Sequence, residues 1–112
     1  MKKSWAALAL VAALAGTSSP ARAQDTISIG EQSWTGARAI GFVLKAVMEK
    51  RLGAKTDMKK ADLAAMFAAM DKGDGSIDVV PDLWMPNQFT FWNKFIKDAK
   101  TVRANGQPYK GT

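Results

Sequence analysis

Apolar and polar positions along this chain follow two different periods, which predict strands separated by helices. Residues 26–30 alternate between apolar and polar, as in a strand. Residues 36–52 instead repeat their apolar positions every three to four residues, which predicts an amphipathic helix that stops before Gly53. The apolar stripe of this helix consists of Ile40, Val43, Leu44, Val47, Met48 and Leu52.

The middle of the chain repeats this order of strand and helix. Residues 54–58 are expected to form a short second strand, although they are poor strand formers. Asp62 is a suitable N-cap for a second helix that ends near Lys72. Residues 77–80 predict a third strand, and Pro81 near its end limits further pairing. The buried face of the second helix is expected to comprise Leu63, Met66, Phe67 and Met70.

A third helix is predicted from Pro86 onward, because proline suits the first helical turn. Residues 101–103 are expected to start another strand. The residues expected inside the third helix are Phe89, Trp92, Phe95, Ile96 and Ala99. Strands that alternate with helices predict an α/β fold, a parallel sheet with flanking helices and right-handed crossovers. With the strand order 2-1-3, the first and third strands are neighbours, and a ligand crevice is expected at their carboxyl ends.

Residues 1–23 have the form of a secretory signal peptide. A basic start precedes an apolar run at 5–15, and Ala21-Arg22-Ala23 provides a small-x-small cleavage site. A helix that spans a bilayer needs about 20 apolar residues, and this run is shorter. An uncleaved membrane anchor is therefore less favoured than a cleaved signal peptide. Residues 24–112 are therefore expected to be exported, to a bacterial periplasm.

Charge and composition exclude several function classes. The net charge is +6, but the predicted signal holds three of the 16 basic residues and no acidic one. The remaining basic residues alternate with acidic and apolar ones, which is typical of a solvated surface and argues against nucleic-acid binding. Without histidine or cysteine, the chain lacks a serine–histidine triad, a cysteine nucleophile and the usual zinc ligands. Residues 71–82 resemble a calcium-binding loop, but most of the ligand positions of such a loop are occupied by unsuitable residues, so a turn is predicted instead. No metal or cofactor is expected.

Two tryptophans occupy matched positions, each directly after a predicted strand. Trp34 follows the first strand and Trp84 follows the third, and each is expected to open a helix. At the crevice of a parallel sheet they would lie side by side and form an aromatic pocket that attracts quaternary ammonium. Ordinary packing is the alternative for each tryptophan taken alone. A carboxylate on the ligand would be held by backbone N–H groups at the helix start, at Thr35, Gly36 and Ala37. Arg38 could also pair with such a carboxylate, but it is expected to pair with Glu31.

These residues resemble the glycine betaine/proline betaine/choline-binding proteins of ABC importers. The matching stretches are 29–34, continuing through the helix to 53, then 75–79 and 82–87, and the resemblance covers about 26–96. The most specific piece is the acid-x-Trp-x-Pro-Asn sequence at 82–87, which follows an Ile-Asp-Val strand.

The resemblance implies a type II periplasmic binding protein with two lobes, whose tryptophans form a cage around a trimethylammonium group. By position, Trp34 and Trp84 look like two members of that cage, and the remaining expected ligand-binding residues are Ser33, Thr35, Gly36 and Asp82. The implied partners are a membrane permease and its ATPase. Because family members are far longer, residues 24–112 are expected to form an incomplete first lobe that binds weakly or not at all alone.

Two other functions stay open on the sequence alone. A small exported enzyme would use carboxylates such as Glu31 and Asp82 as a pair. A truncated, nonfunctional half-lobe is the other alternative. Within the class of binding proteins, proline or a polyamine is an alternative ligand.

Overall fold

The computed structural model describes residues 25–107, and its elements follow the predicted order of strand and helix. They are β1 (Ile27–Glu31), α1 (Thr35–Leu52), β2 (Thr56–Lys60), α2 (Leu63–Lys72) and α3 (Phe89–Phe91), which continues into a π-helix (Trp92–Asp98). The predicted signal peptide lies outside the described residues. Among residues 25–107, no helix is both long and apolar enough to cross a membrane.

β1 is the centre of the sheet. It pairs in parallel with β2, from Ile27 opposite Thr56 to Glu31 opposite Lys60. On its other side Ile29 forms a parallel bridge with Val79, and the Gly30 amide donates to the Val79 carbonyl at 2.8 Å. The predicted order 2-1-3 is therefore confirmed, as is the α/β class with flanking helices.

The predicted third strand at 77–80 is reduced to this bridge. The carboxylate of Asp78 accepts the Ser28 amide at 2.7 Å, where a regular ladder would use a backbone carbonyl. Pro81 has no amide proton and cannot extend the pairing. The side chain of Asp78 and the ring of Pro81 together explain why the strand is so short.

The two long helices begin and end where the sequence predicts, within one residue. Gly53 closes α1 with a φ of 64°, a left-handed conformation that glycine adopts without strain. The Asp62 side chain caps α2 by accepting the Ala65 amide at 2.8 Å. β2 starts two residues later than predicted, because the Ala54 amide is still bonded to the Met48 carbonyl of α1.

The hydrophobic core lies where α2 and the π-helix meet the sheet. Phe67 stacks against Phe91 and Phe95 with ring centroids 5.2 and 5.5 Å apart. The buried apolar side chains are Ile29, Ala37, Met66, Phe67, Ile77 and Phe95. On α2, Met66 and Phe67 are buried as predicted, whereas Leu63 and Met70 are only half-buried.

The apolar stripe of α1 does not form part of this core. α1 contacts the sheet through its small residues Ala37 and Gly41, and a Cβ at Gly41 would lie 3.1 Å from the Met58 methyl group. Four members of the stripe are exposed: Ile40, Val43, Val47 and Leu52. The sheet is too narrow to cover the wider apolar face, so helical periodicity correctly predicts α1 but not the face it buries.

Two predictions for the C-terminal part are wrong. The helix starts at Phe89 and not at Pro86, because residues 85–88 form a turn in which the Gln88 side chain accepts the Trp84 amide at 2.7 Å. Of the residues expected inside this helix, Phe95 is buried, Trp92 and Ile96 are half-buried, and Phe89 and Ala99 are exposed.

The second error concerns residues 101–103, which form no strand. The Thr101 and Val102 amides both donate to the Phe95 carbonyl and so close the π-helix. These two donors are used locally and are not available to a sheet.

Candidate functional site

The carboxyl ends of β1 and of the Val79 segment bring Trp34 and Trp84 together. Trp34 lies between β1 and α1, and Trp84 lies in the loop that follows the Val79 bridge. Both indole Nε1–H groups donate to the same oxygen, Oδ2 of Asp82, at 3.1 Å for Trp34 and 2.9 Å for Trp84. The two nitrogens therefore lie within two hydrogen-bond lengths of each other, in the side-by-side arrangement that the sequence predicts.

Both tryptophans are partly exposed to solvent. Trp34 is 37% exposed and Trp84 is 52% exposed, whereas Asp82 is only 7% exposed. The hydrogen bonds engage the N–H edges of both rings. Trp34 directly precedes α1, as expected, but Trp84 precedes the turn at 85–88 and not a helix.

Gln32 is hydrogen-bonded to Asp82, and the sequence did not predict a role for it in this site. Its side chain is 2% exposed, and its Nε2 group donates to the Asp82 carbonyl at 2.9 Å. Its Oε1 atom is buried and has no hydrogen-bond partner among residues 25–107. No local sequence signal marks Gln32, since the residue that it contacts lies 50 positions later in the chain.

The start of α1 provides backbone donors beside the tryptophan pair. The N-cap residue Trp34 makes no side-chain capping bond, and the first intrahelical bond is donated by the Arg38 amide. The amides of Thr35 and Gly36 precede it and therefore have no partner within the helix. These donors and the positive end of the helix dipole suit an anionic group.

Arg38 forms an ion pair with Glu31. Its Nε group donates to Oε1 of Glu31 at 2.9 Å, which confirms the predicted ion pair. The Glu31 side chain is 8% exposed, so Arg38 neutralises a buried carboxylate. With Glu31 bound to Arg38 and Asp82 bound to two indoles, each acid of the hypothetical catalytic pair already has its own partners.

An open depression lies next to the site, at the carboxyl ends of β1 and β2. Its volume is about 490 Å³, and Trp34 and Trp84 are not among its lining residues. The lining residues are Glu31, Gln32, Ser33, Arg38, Lys60, Ala61 and Asp62. Of the residues predicted to bind ligand, only Ser33 lines this depression. Among residues 25–107, no group of three or more acidic side chains is arranged to hold a metal ion.

Comparison with known families places this geometry in context. The substrate-binding domain of an ABC-type glycine betaine transport system, the OpuAC family, matches residues 25–112. The chain belongs to this family. Among curated proteins and solved structures, none gives a significant match.

Membership of the betaine-transport family confirms the resemblance found in the sequence and the role of substrate-binding component. Proteins of this family are extracytoplasmic and non-enzymatic, and they work with a small-molecule ligand and an ABC permease and ATPase. The ligand-binding roles of Ser33, Trp34, Thr35, Gly36, Asp82 and Trp84 stay predictions.

Proposed function

We propose that this protein captures a quaternary ammonium osmoprotectant and delivers it to an ABC permease driven by an ATPase. The ligand would be glycine betaine, proline betaine or choline. The observation that carries this ligand class is the pair of indoles bonded to one carboxylate, Trp34 and Trp84 on Asp82. A trimethylammonium group has no N–H to donate, so aromatic faces and negative charge are the features that recognise it.

The partial exposure of both indoles supports a cage that needs further cover. A cation–aromatic contact contributes about 0.5–1 kcal/mol at an exposed site and about 2 kcal/mol when water is excluded. With Trp34 37% exposed and Trp84 52% exposed, the pair in this state belongs to the weaker case. We propose that residues 24–112 are an incomplete first lobe of a two-lobed protein, and that a second lobe closes over the ligand and adds cage residues.

The start of α1 is the proposed subsite for a ligand carboxylate. The amides of Thr35 and Gly36 have no intrahelical partner, and Ser33 lies directly before the cage residue Trp34. A betaine bridging the two subsites would place its ammonium on the indoles and its carboxylate on these amides. Choline has no carboxylate and would leave these amides unused.

Export is part of the proposal. Residues 1–23 would act as a cleaved signal peptide and direct the binding protein to the periplasm. An extracytoplasmic location agrees with that of the family.

Calorimetric titration of the complete two-lobed protein, without its signal peptide, with glycine betaine and choline tests the cage. Trp34→Ala and Trp84→Ala are each expected to weaken binding by about tenfold or more, because each removes one cation–aromatic contact. Trp92→Phe is the matched control, since Trp92 lies in the π-helix away from Asp82 and should bind as the wild type does. Wild-type affinity in both alanine variants would refute the cage.

Methylation of the ligand tests the ligand class. Glycine lacks the three methyl groups of glycine betaine and should not compete, whereas proline betaine should. Stronger competition by proline or by a polyamine would replace the proposed ligand with one of those compounds.

A further inference from the structure

A single carboxylate oxygen serves both indoles. Asp82 Oδ2 accepts from Trp34 Nε1 and Trp84 Nε1, while the Asp82 backbone carbonyl accepts from the buried Gln32 amide group. Asp82 is thus held at its backbone and its side chain, and it is 7% exposed. Such a residue fixes the separation of the two indole edges before any ligand arrives.

Asp82 also carries a negative charge that no basic side chain of residues 25–107 neutralises. The acids that do form ion pairs in this part of the chain are Glu31, Glu49, Asp57 and Asp74. The nearby Glu31 has Arg38, whereas the partners of the Asp82 carboxylate within the described part of the chain are the two indole N–H groups on Oδ2. Its other oxygen, Oδ1, accepts no hydrogen bond from the described residues.

Building on the proposed function, we propose that Asp82 is the positioning residue of the cation site and the source of its charge preference. It holds Trp34 and Trp84 in place, and its charge favours a ligand with a net positive charge over a zwitterion. Choline would therefore gain more from Asp82 than glycine betaine does.

Physical chemistry supports both parts of this role. Hydrogen bonds to an ionised acceptor are stronger than neutral ones, and immobilising two large side chains in advance lowers the entropy cost of binding. A poorly solvated charge without an ionic partner is unfavourable, so a cation placed beside it gains more than it would in water. In a betaine the carboxylate of the ligand opposes this gain, and in choline nothing does.

Asp82→Asn tests the charge, because asparagine keeps the shape and an acceptor oxygen. Asp78→Asn is the matched control: the same charge is removed four residues earlier, from a carboxylate that accepts the Ser28 amide. Choline and glycine betaine would be titrated into the complete two-lobed protein and into both variants of it, at low and high salt.

We expect Asp82→Asn to weaken choline binding by about tenfold and glycine betaine binding by several-fold less. The salt dependence of choline binding should also decrease, since screening acts on the charge that has been removed. Asp78→Asn should leave both affinities and their ratio unchanged. Equal losses for both ligands with unchanged salt dependence, or no loss at all, would overturn the charge preference.

The positioning role is tested without ligand, from the indole N–H resonances in a ¹H–¹⁵N NMR spectrum. The Trp34 and Trp84 signals should both move in Asp82→Asn and stay in place in Asp78→Asn. If only one or neither moves, Asp82 does not hold the pair. Failure of the wild-type protein to bind any quaternary ammonium compound would instead refute the proposed function, and the NMR result would remain interpretable.

Discussion

Gly30 lies so close to Met66 that a Cβ at this position of β1 would be 2.7 Å from the methionine sulfur. Met66 belongs to α2 and is completely buried, so it has little room to move away. The absence of a side chain at Gly30 therefore allows α2 to pack directly against the central strand. This contact holds the strand whose end carries Gln32 and Trp34.

Gly30→Ala is expected to destabilise the protein by about 1–3 kcal/mol, because the added methyl group overpacks the contact with Met66. Chemical denaturation measures the change. Gly36→Ala is the control, since a Cβ there has its nearest neighbour at 3.9 Å and the helix favours alanine. In a Met66→Ala background the penalty at Gly30 should shrink, and an undiminished penalty would show that Met66 is not its cause.

Arg38→Ala is expected to cost about 1–2 kcal/mol of folding stability, because it leaves the buried Glu31 carboxylate without its partner. Glu31→Gln in the Arg38→Ala background should recover part of the loss. The matched control is Lys59→Ala, which breaks the exposed pair with Asp57 and should change stability far less than Arg38→Ala does. Equal effects at Arg38 and Lys59 would contradict the importance of burial.

Asp62→Ala is expected to destabilise α2 by about 1 kcal/mol, because the Ala65 amide loses its capping acceptor. Asp62→Asn retains an acceptor and should be close to the wild type. Asp71→Ala is a control near the other end of the same helix, where an acid opposes the helix dipole and its removal should not destabilise. Urea denaturation of the three variants would rank them, and a neutral Asp62→Ala would argue against the cap.

The turn after α2 is expected to respond to pH. The Ser76 hydroxyl, the Lys72 ammonium and the Ser76 amide hold the pKa of Asp74 well below its ordinary value of 3.8. Because the pKa is lower in the folded state, the turn contributes stability above pH 3.8 and loses it as the pH falls through the folded-state pKa. Ser76→Ala should raise the pKa of Asp74, whereas Ser76→Thr should keep it low. Carboxyl carbon NMR titration measures both, and an unchanged pKa in Ser76→Ala would refute this cause.

Elements with local signals could be predicted from the sequence. Asp62 and Gly53 mark helix ends by their own conformational and capping preferences, and alternation marks β1 without knowledge of its partners. The turn at 85–88 was missed because the Gln88 side chain, and not Pro86, determines the local bonding. The short third strand was missed in the same way, because the Asp78 carboxylate replaces a backbone acceptor.

For the candidate site, the sequence predicts that the two tryptophans lie close together but not how they are hydrogen-bonded. Two tryptophans after neighbouring strands predict their proximity, because parallel strands end at the same edge of a sheet. Trp34 lies 48 positions before Asp82, to which its indole donates a hydrogen bond. Gln32 lies 50 positions before Asp82, to which its side chain also donates. Such long-range pairings depend on the exact placement of two loops, which no periodicity specifies.

The shared oxygen of Asp82 also constrains how this protein can evolve. A change at position 82 affects two rings at once, and a change of either tryptophan to a residue without an N–H leaves the carboxylate less satisfied. Positions 34, 82 and 84 are therefore under joint selection. A single substitution at any of them is unfavourable unless a second substitution at another of the three compensates for it. Among related sequences, these three positions should vary together or not at all.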